Sequence, residues 1–156
     1  LPDITIGVEN QNDYRTIYAD VCHELAHASH FAKVGTSFWN RYILYVIGSY
    51  VASGGMTYGD GAGANSGYCE LGEMWAFYLS SKMYHERYGG NYPSFGTTFW
   101  FYPQIFRYLD ERGISCSEIF YVLGPGVESR SDLKAALMTS YPKDHTVIEQ
   151  VFGRYR

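Results

Sequence analysis

Apolar residues return at helical rather than strand spacing through most of this chain. From Tyr14 to Lys33 the positions Ile17, Val21, Leu25, Ala28 and Ala32 fall within about 80° of one another at 100° per residue. Asn12 or Asp13 can cap this segment and Gly35 can end it. The pattern predicts a helix over about 14–33 whose buried face is that stripe. A second, very apolar helix is expected from Trp39 to about Val51. Residues 54–67 then run without any period and carry repeated glycines, the signature of a long loop. A third helix follows over about 68–88, stopped by Gly89 and Gly90. Shorter helices are expected near 102–111, over 116–123 behind Ser115, over 132–140 behind Ser131, and over 146–152. Only Ile4 to Val8 alternates as a strand would, and weakly. With no internal repeat and no linker, the expectation is one mainly helical domain over 1–156 with little sheet.

Composition narrows the function classes. The chain has 156 residues, 46% hydrophobic and 18% charged, which suits a folded domain and excludes a disordered one. Its formal net charge is −4 and no basic stripe occurs, so nucleic acid is not an expected partner. The apolar run from Tyr42 to Met56 is about 15 residues long and holds three glycines, short of the roughly 20 a membrane-spanning helix needs. Three cysteines in helical segments read as small buried hydrophobes. The chain begins at Leu1 with no signal peptide, which points to a trimmed piece of a longer product.

Chemistry concentrates in His23-Glu24-Leu25-Ala26-His27. Residues four apart on a helix stand one above the other, so both imidazoles can meet one metal ion. Glu24, about 100° round from His23, sits beside such an ion, where a carboxylate can take a proton from an activated water and hand it on. On the wheel the histidines lie opposite the apolar stripe, so they are expected to face a cleft and not the core. His30 is too far along the axis, about 10 Å from His23, to join the same ion. Asp20 falls on the histidine side and could orient a ligand imidazole.

A catalytic zinc wants a third protein ligand. Roughly 45 residues on, the helix Tyr68-Cys69-Glu70-Leu71-Gly72-Glu73-Met74-Trp75-Ala76 carries two carboxylates on one side. Either Glu70 or Glu73 could face the histidines, since three residues apart is about 60° on the wheel. These segments together resemble zincin metallopeptidases of the glutamate-ligand branch, the gluzincins. In that branch a later helix supplies a Glu, often within Glu-x-Trp/Phe-Ala-Glu. Glu73-Met74-Trp75-Ala76 matches this wording, which implies Glu73 as ligand with His23 and His27, Zn2+ as cofactor, and Trp75 turned into the core. Phe77 departs from it, standing where a second acid is frequent. The resemblance also implies an oxyanion donor beside the metal, with Tyr68 preferred over Tyr58 and His85. A likeness in composition to secreted or lipid-anchored zinc peptidases of Bacteroidetes implies a secreted, periplasmic or cell-surface setting, with any lipid anchor upstream of Leu1.

The leading expectation is therefore a zinc-dependent peptidase acting on peptides or proteins, with Glu24 as general base and Tyr68 as oxyanion donor. It would be a zincin-like, mainly α catalytic domain, alone or as the C-terminal part of a larger chain. One alternative is a non-catalytic glycan- or protein-binding surface module that keeps a structural metal, suggested by the 18% aromatic content. Another is a metal-free helical domain.

Overall fold

The computed structural model describes residues 13–90 and 100–155. It is mainly α-helical, and no β-strand occurs among the described residues. The expected strand at Ile4 to Val8 lies outside them.

Helix α1 (Tyr14–Ser53) is one long run broken by Gly35, whose φ of 81° and ψ of 179° are not helical. The two helices expected here are thus two limbs meeting at a single residue. Only glycine adopts that backbone without strain. Asp13 caps the start, its carboxylate accepting from Arg15 N at 3.0 Å and Thr16 Oγ1 at 2.7 Å. Gly54 ends the second limb in the left-handed conformation. The glycine-rich loop then leads to α2 (Ser66–Tyr88). After residues 91–99 come α3 (Gln104–Glu111), α4 (Cys116–Val122), α5 (Arg130–Ser140), a 3₁₀ turn (Pro142–Asp144) and α6 (His145–Phe152). A capping box between Ser115 and Glu118 starts α4. Ser129, two residues before the expected Ser131, caps α5 by accepting from Asp132 N.

Helix α2 is the spine. Every residue from Tyr68 to Ala76 is buried, because α1 packs along it while α3 and α5 also reach it. Trp75 stacks on Phe120 with ring centroids 4.9 Å apart, and Tyr78 donates to Asp110 Oδ2 at 2.7 Å. Each fully buried aromatic or aliphatic side chain of this kind stabilises the fold by about 1.5–3 kcal/mol. Cys22 and Cys69 are buried and Cys116 half-buried, all as free thiols.

The expected core stripe of α1 is overturned. Leu25 is 52% exposed, Ala32 is exposed, and Ile17, Val21 and Ala28 are only half-buried. The first limb buries Cys22, Ala26, His30 and Val34 instead, four residues apart along the side that meets α2. A helical wheel finds the most apolar side of a helix; the partner helix decides which side is covered.

Candidate metal centre

His23 and His27 project from the covered side of α1 toward Glu73, which is 1% exposed on α2. The histidines face a neighbouring helix and, as the wheel suggested, also border a cavity. The two Nε2 atoms lie 3.1 Å apart. His23 Nε2 is 3.5 Å from Glu73 Oε2, and His27 Nε2 is 3.5 Å from Glu73 Oε1. Donors about 2.05 Å from a common centre in a tetrahedron stand about 3.3 Å apart, so this triangle has the dimensions of one face of a zinc site. Among the described residues these three form the cluster able to share an ion.

The polar atoms fit the same reading. Glu73 Oε2 is buried and has no hydrogen-bond partner. Burial would push its carboxyl up, but His23, His27 and the Tyr42 hydroxyl outweigh burial and hold the pKa below the ordinary carboxylate value. Tyr42 donates a short hydrogen bond to Glu73 Oε1. Burial lowers the His27 pKa to about 4, leaving a neutral imidazole, the form that binds metals.

Local sequence builds this arrangement. A Cβ added to Gly72 would lie 3.3 Å from the Tyr42 ring, so glycine lets Tyr42 and Trp39 approach α2 one residue before Glu73. Phe77 packs edge-on against His23 at 4.6 Å, so the residue standing where an acid was looked for holds the imidazole by contact. Trp75 points away from the cluster, its Nε1 donating to Ser29 Oγ at 3.2 Å. His30 is buried against Phe38 and Trp39 and belongs to the core. Glu70 pairs with Arg130 Nε at 3.2 Å and does not join the histidines.

A cavity of about 480 Å³ opens on the cluster, lined by His23, Glu24, His27 and Glu73 with Leu25, Ala28, Phe31, Trp39, Tyr42 and Tyr58. Glu24 is half-buried there. Burial raises its pKa, His23 opposes the rise, and Glu73 and Asp20 add to it. Tyr68 does not line this cavity: it packs on Phe38 at 4.8 Å, with Arg41 over its ring and Glu128 as its hydrogen-bond partner. Tyr58 does line it, and its hydroxyl reaches Glu73. The Tyr58 carbonyl accepts from Tyr45 Oη at 3.0 Å and Trp100 Nε1 at 2.8 Å, which ties the glycine-rich loop to the scaffold. Sequence reasoning missed Tyr42 and Trp39, whose only signal was helical phase after a break of unknown angle, and Phe31, which stands one turn after His27 on the first limb.

No family model matches the chain, and no curated protein or solved structure matches it either. No helix among the described residues is long and apolar enough to cross a membrane. The fold and site define a mainly helical protein with a His/His/Glu cluster able to hold a divalent metal ion.

Proposed function

We propose that the chain is a zinc-dependent peptidase whose site is His23, His27 and Glu73 as metal ligands with Glu24 as general base. The observation that carries this reading is the coincidence in one cavity of a three-donor triangle of zinc dimensions and a half-buried carboxylate beside it. A site serving structure alone has no use for Glu24 there.

Bound zinc supplies Lewis-acid polarisation of the substrate carbonyl. Glu24 takes one proton from the attacking water as its oxygen bonds the carbonyl carbon. It then delivers that proton to the departing nitrogen as the C–N bond breaks, leaving a carboxylic acid and an amine. The raised pKa of Glu24 suits a group that must hold the proton between the two steps. Tyr42 keeps the Glu73 carboxylate in one orientation. Tyr58 lines the cavity where Tyr68 does not, and its hydroxyl would turn from Glu73 to meet charge developing on the carbonyl oxygen.

Metal analysis of the purified chain tests the first half. About one equivalent of zinc is expected, with a large loss in H23A and in H27A. E24Q keeps the shape and removes the base, so it is expected to retain zinc while hydrolysis of a casein-type substrate falls by about 10²-fold or more. Full activity in zinc-loaded E24Q overturns the mechanism. Zinc binding with no hydrolysis by the wild type leaves a metal-holding module.

A further inference from the structure

We infer that the cavity beside His23, His27 and Glu73 receives a bulky, uncharged apolar side chain from the interior of a peptide, seated along Leu25, Ala28, Phe31 and Trp39. This inference rests on the peptidase reading and names the substrate class of that same site.

The first support is an apolar row that the core leaves partly uncovered. Leu25 and Ala28 belong to the stripe a helical wheel assigns to the core, yet α1 buries its other side and leaves Leu25 52% exposed. A lone exposed leucine is ordinary. Here the row borders the cavity that holds the metal candidates, and Phe31 and Trp39 continue it. Leu25, Ala28 and Phe31 recur every three residues, spanning about 9 Å of helix axis. The small Ala28 between two large neighbours leaves a depression.

Charge gives the second support. Among the described residues no lysine or arginine lines the cavity, and its carboxylates are Glu73, paired with both histidines, and Glu24, the proposed base. A terminal carboxylate would find no side-chain cation there, and an ammonium would pair only with Glu24 and so disable the proposed base. An anionic side chain would lose its hydration with no side-chain partner in return. An internal stretch with an uncharged apolar residue loses nothing by entering.

Position gives the third. The Trp39 ring meets the His27 imidazole edge-on at 5.3 Å and lies 6.3 Å from Phe31. A side chain resting on this wall belongs to the residue next to the bond being cut.

Two measurements test the inference. In the metal-free full chain, labelled at its methyl carbons, N-acetyl-phenylalaninamide is expected to shift the Leu25 and Ala28 resonances saturably, and N-acetyl-lysinamide to leave them unmoved. Leu25→Asp, a change at an exposed position, is expected to weaken the phenylalanine response at the Ala28 methyl at least tenfold. Absent or equal shifts for the two amides overturn the groove. In the zinc-loaded chain, peptides blocked at both ends and differing at one residue are expected to be cut with kcat/KM about 10–200-fold higher for Phe or Leu than for Ala, and lower still for Lys or Asp. Equal rates overturn the groove alone. Methyl shifts as expected, with no hydrolysis of any peptide by the zinc-loaded chain, overturn the peptidase reading and with it the cut-site assignment.

Discussion

Glu70 and Glu73 lie three residues apart on α2 and answer to different partners. Burial raises the Glu70 pKa and Arg130 opposes the rise, whereas Glu73 meets two imidazoles and a phenol. E73Q is therefore expected to weaken zinc affinity by well over 100-fold, and E70Q by no more than a remote change would. Zinc dissociation constants for both variants, with circular dichroism as a check on folding, decide it; zinc lost in E70Q and kept in E73Q reverses the assignment. The residue wording around Glu73 was legible in the sequence. The Glu70–Arg130 pair was not, because its partner lies 60 positions away across a fold no local pattern describes. His30 carries a second prediction at this scale. Burial lowers its pKa from 6.5 to about 3, so the folded state refuses a proton the unfolded chain accepts. Stability is complete above pH 6.5 and falls with acid toward about pH 3, by roughly 2 kcal/mol between pH 7 and pH 5. H30L is expected to flatten that part of the pH profile in urea unfolding; an unchanged slope would assign it to other groups.

At the scale of elements, helices were readable because their periods and caps are local, and Asp13, Ser115 and Gly54 act as local rules require. What was not readable is which side of α1 is covered, since that depends on α2 presenting Gly72, Glu73 and Phe77 to the histidine side. The break in α1 is an element-level test of a single residue. No atom crowds a Cβ at Gly35, yet its φ of 81° with extended ψ strains any L-residue. G35A is expected to destabilise by about 1–3 kcal/mol. Gly48, exposed in the second limb at ordinary helical φ, is the control: G48A is expected to stabilise by about 0.4–1 kcal/mol. Equal effects of the two in denaturant melts would show that backbone strain at Gly35 is absent.

Across the whole molecule, α2 sits between α1 and the C-terminal helices, so its backbone amides reach water only when both layers leave. Hydrogen exchange is expected to be slowest over residues 69–78 and fast at the outward face of the second limb of α1, where Leu44, Ile47 and Val51 are exposed. The glycine-rich loop, tied at Tyr58 by Tyr45 and Trp100, is expected to gain protection when a hydroxamate fills the zinc-loaded cavity. Unchanged protection there would make the loop a bystander. Two candidate ligands and the proposed base were legible as a motif, because helical spacing alone brings His23, Glu24 and His27 together, while Glu73 was reached only through a resemblance in residue wording. The walls of the site were not legible: Trp39 and Tyr42 enter from the second limb, at an angle the Gly35 backbone sets.

That division has a consequence for how such a protein can diversify. The candidate ligands and the proposed base sit on the first limb and on α2, while two aromatic walls sit on the second limb, beyond one glycine. Sequence drift at residues 34–37 would swing those walls relative to the histidines with no lining side chain replaced. On the proposed peptidase reading, selection could then widen or narrow the range of accepted peptides while His23, Glu24, His27 and Glu73 stay untouched. A library confined to those four positions would be a compact route to altered cleavage preference.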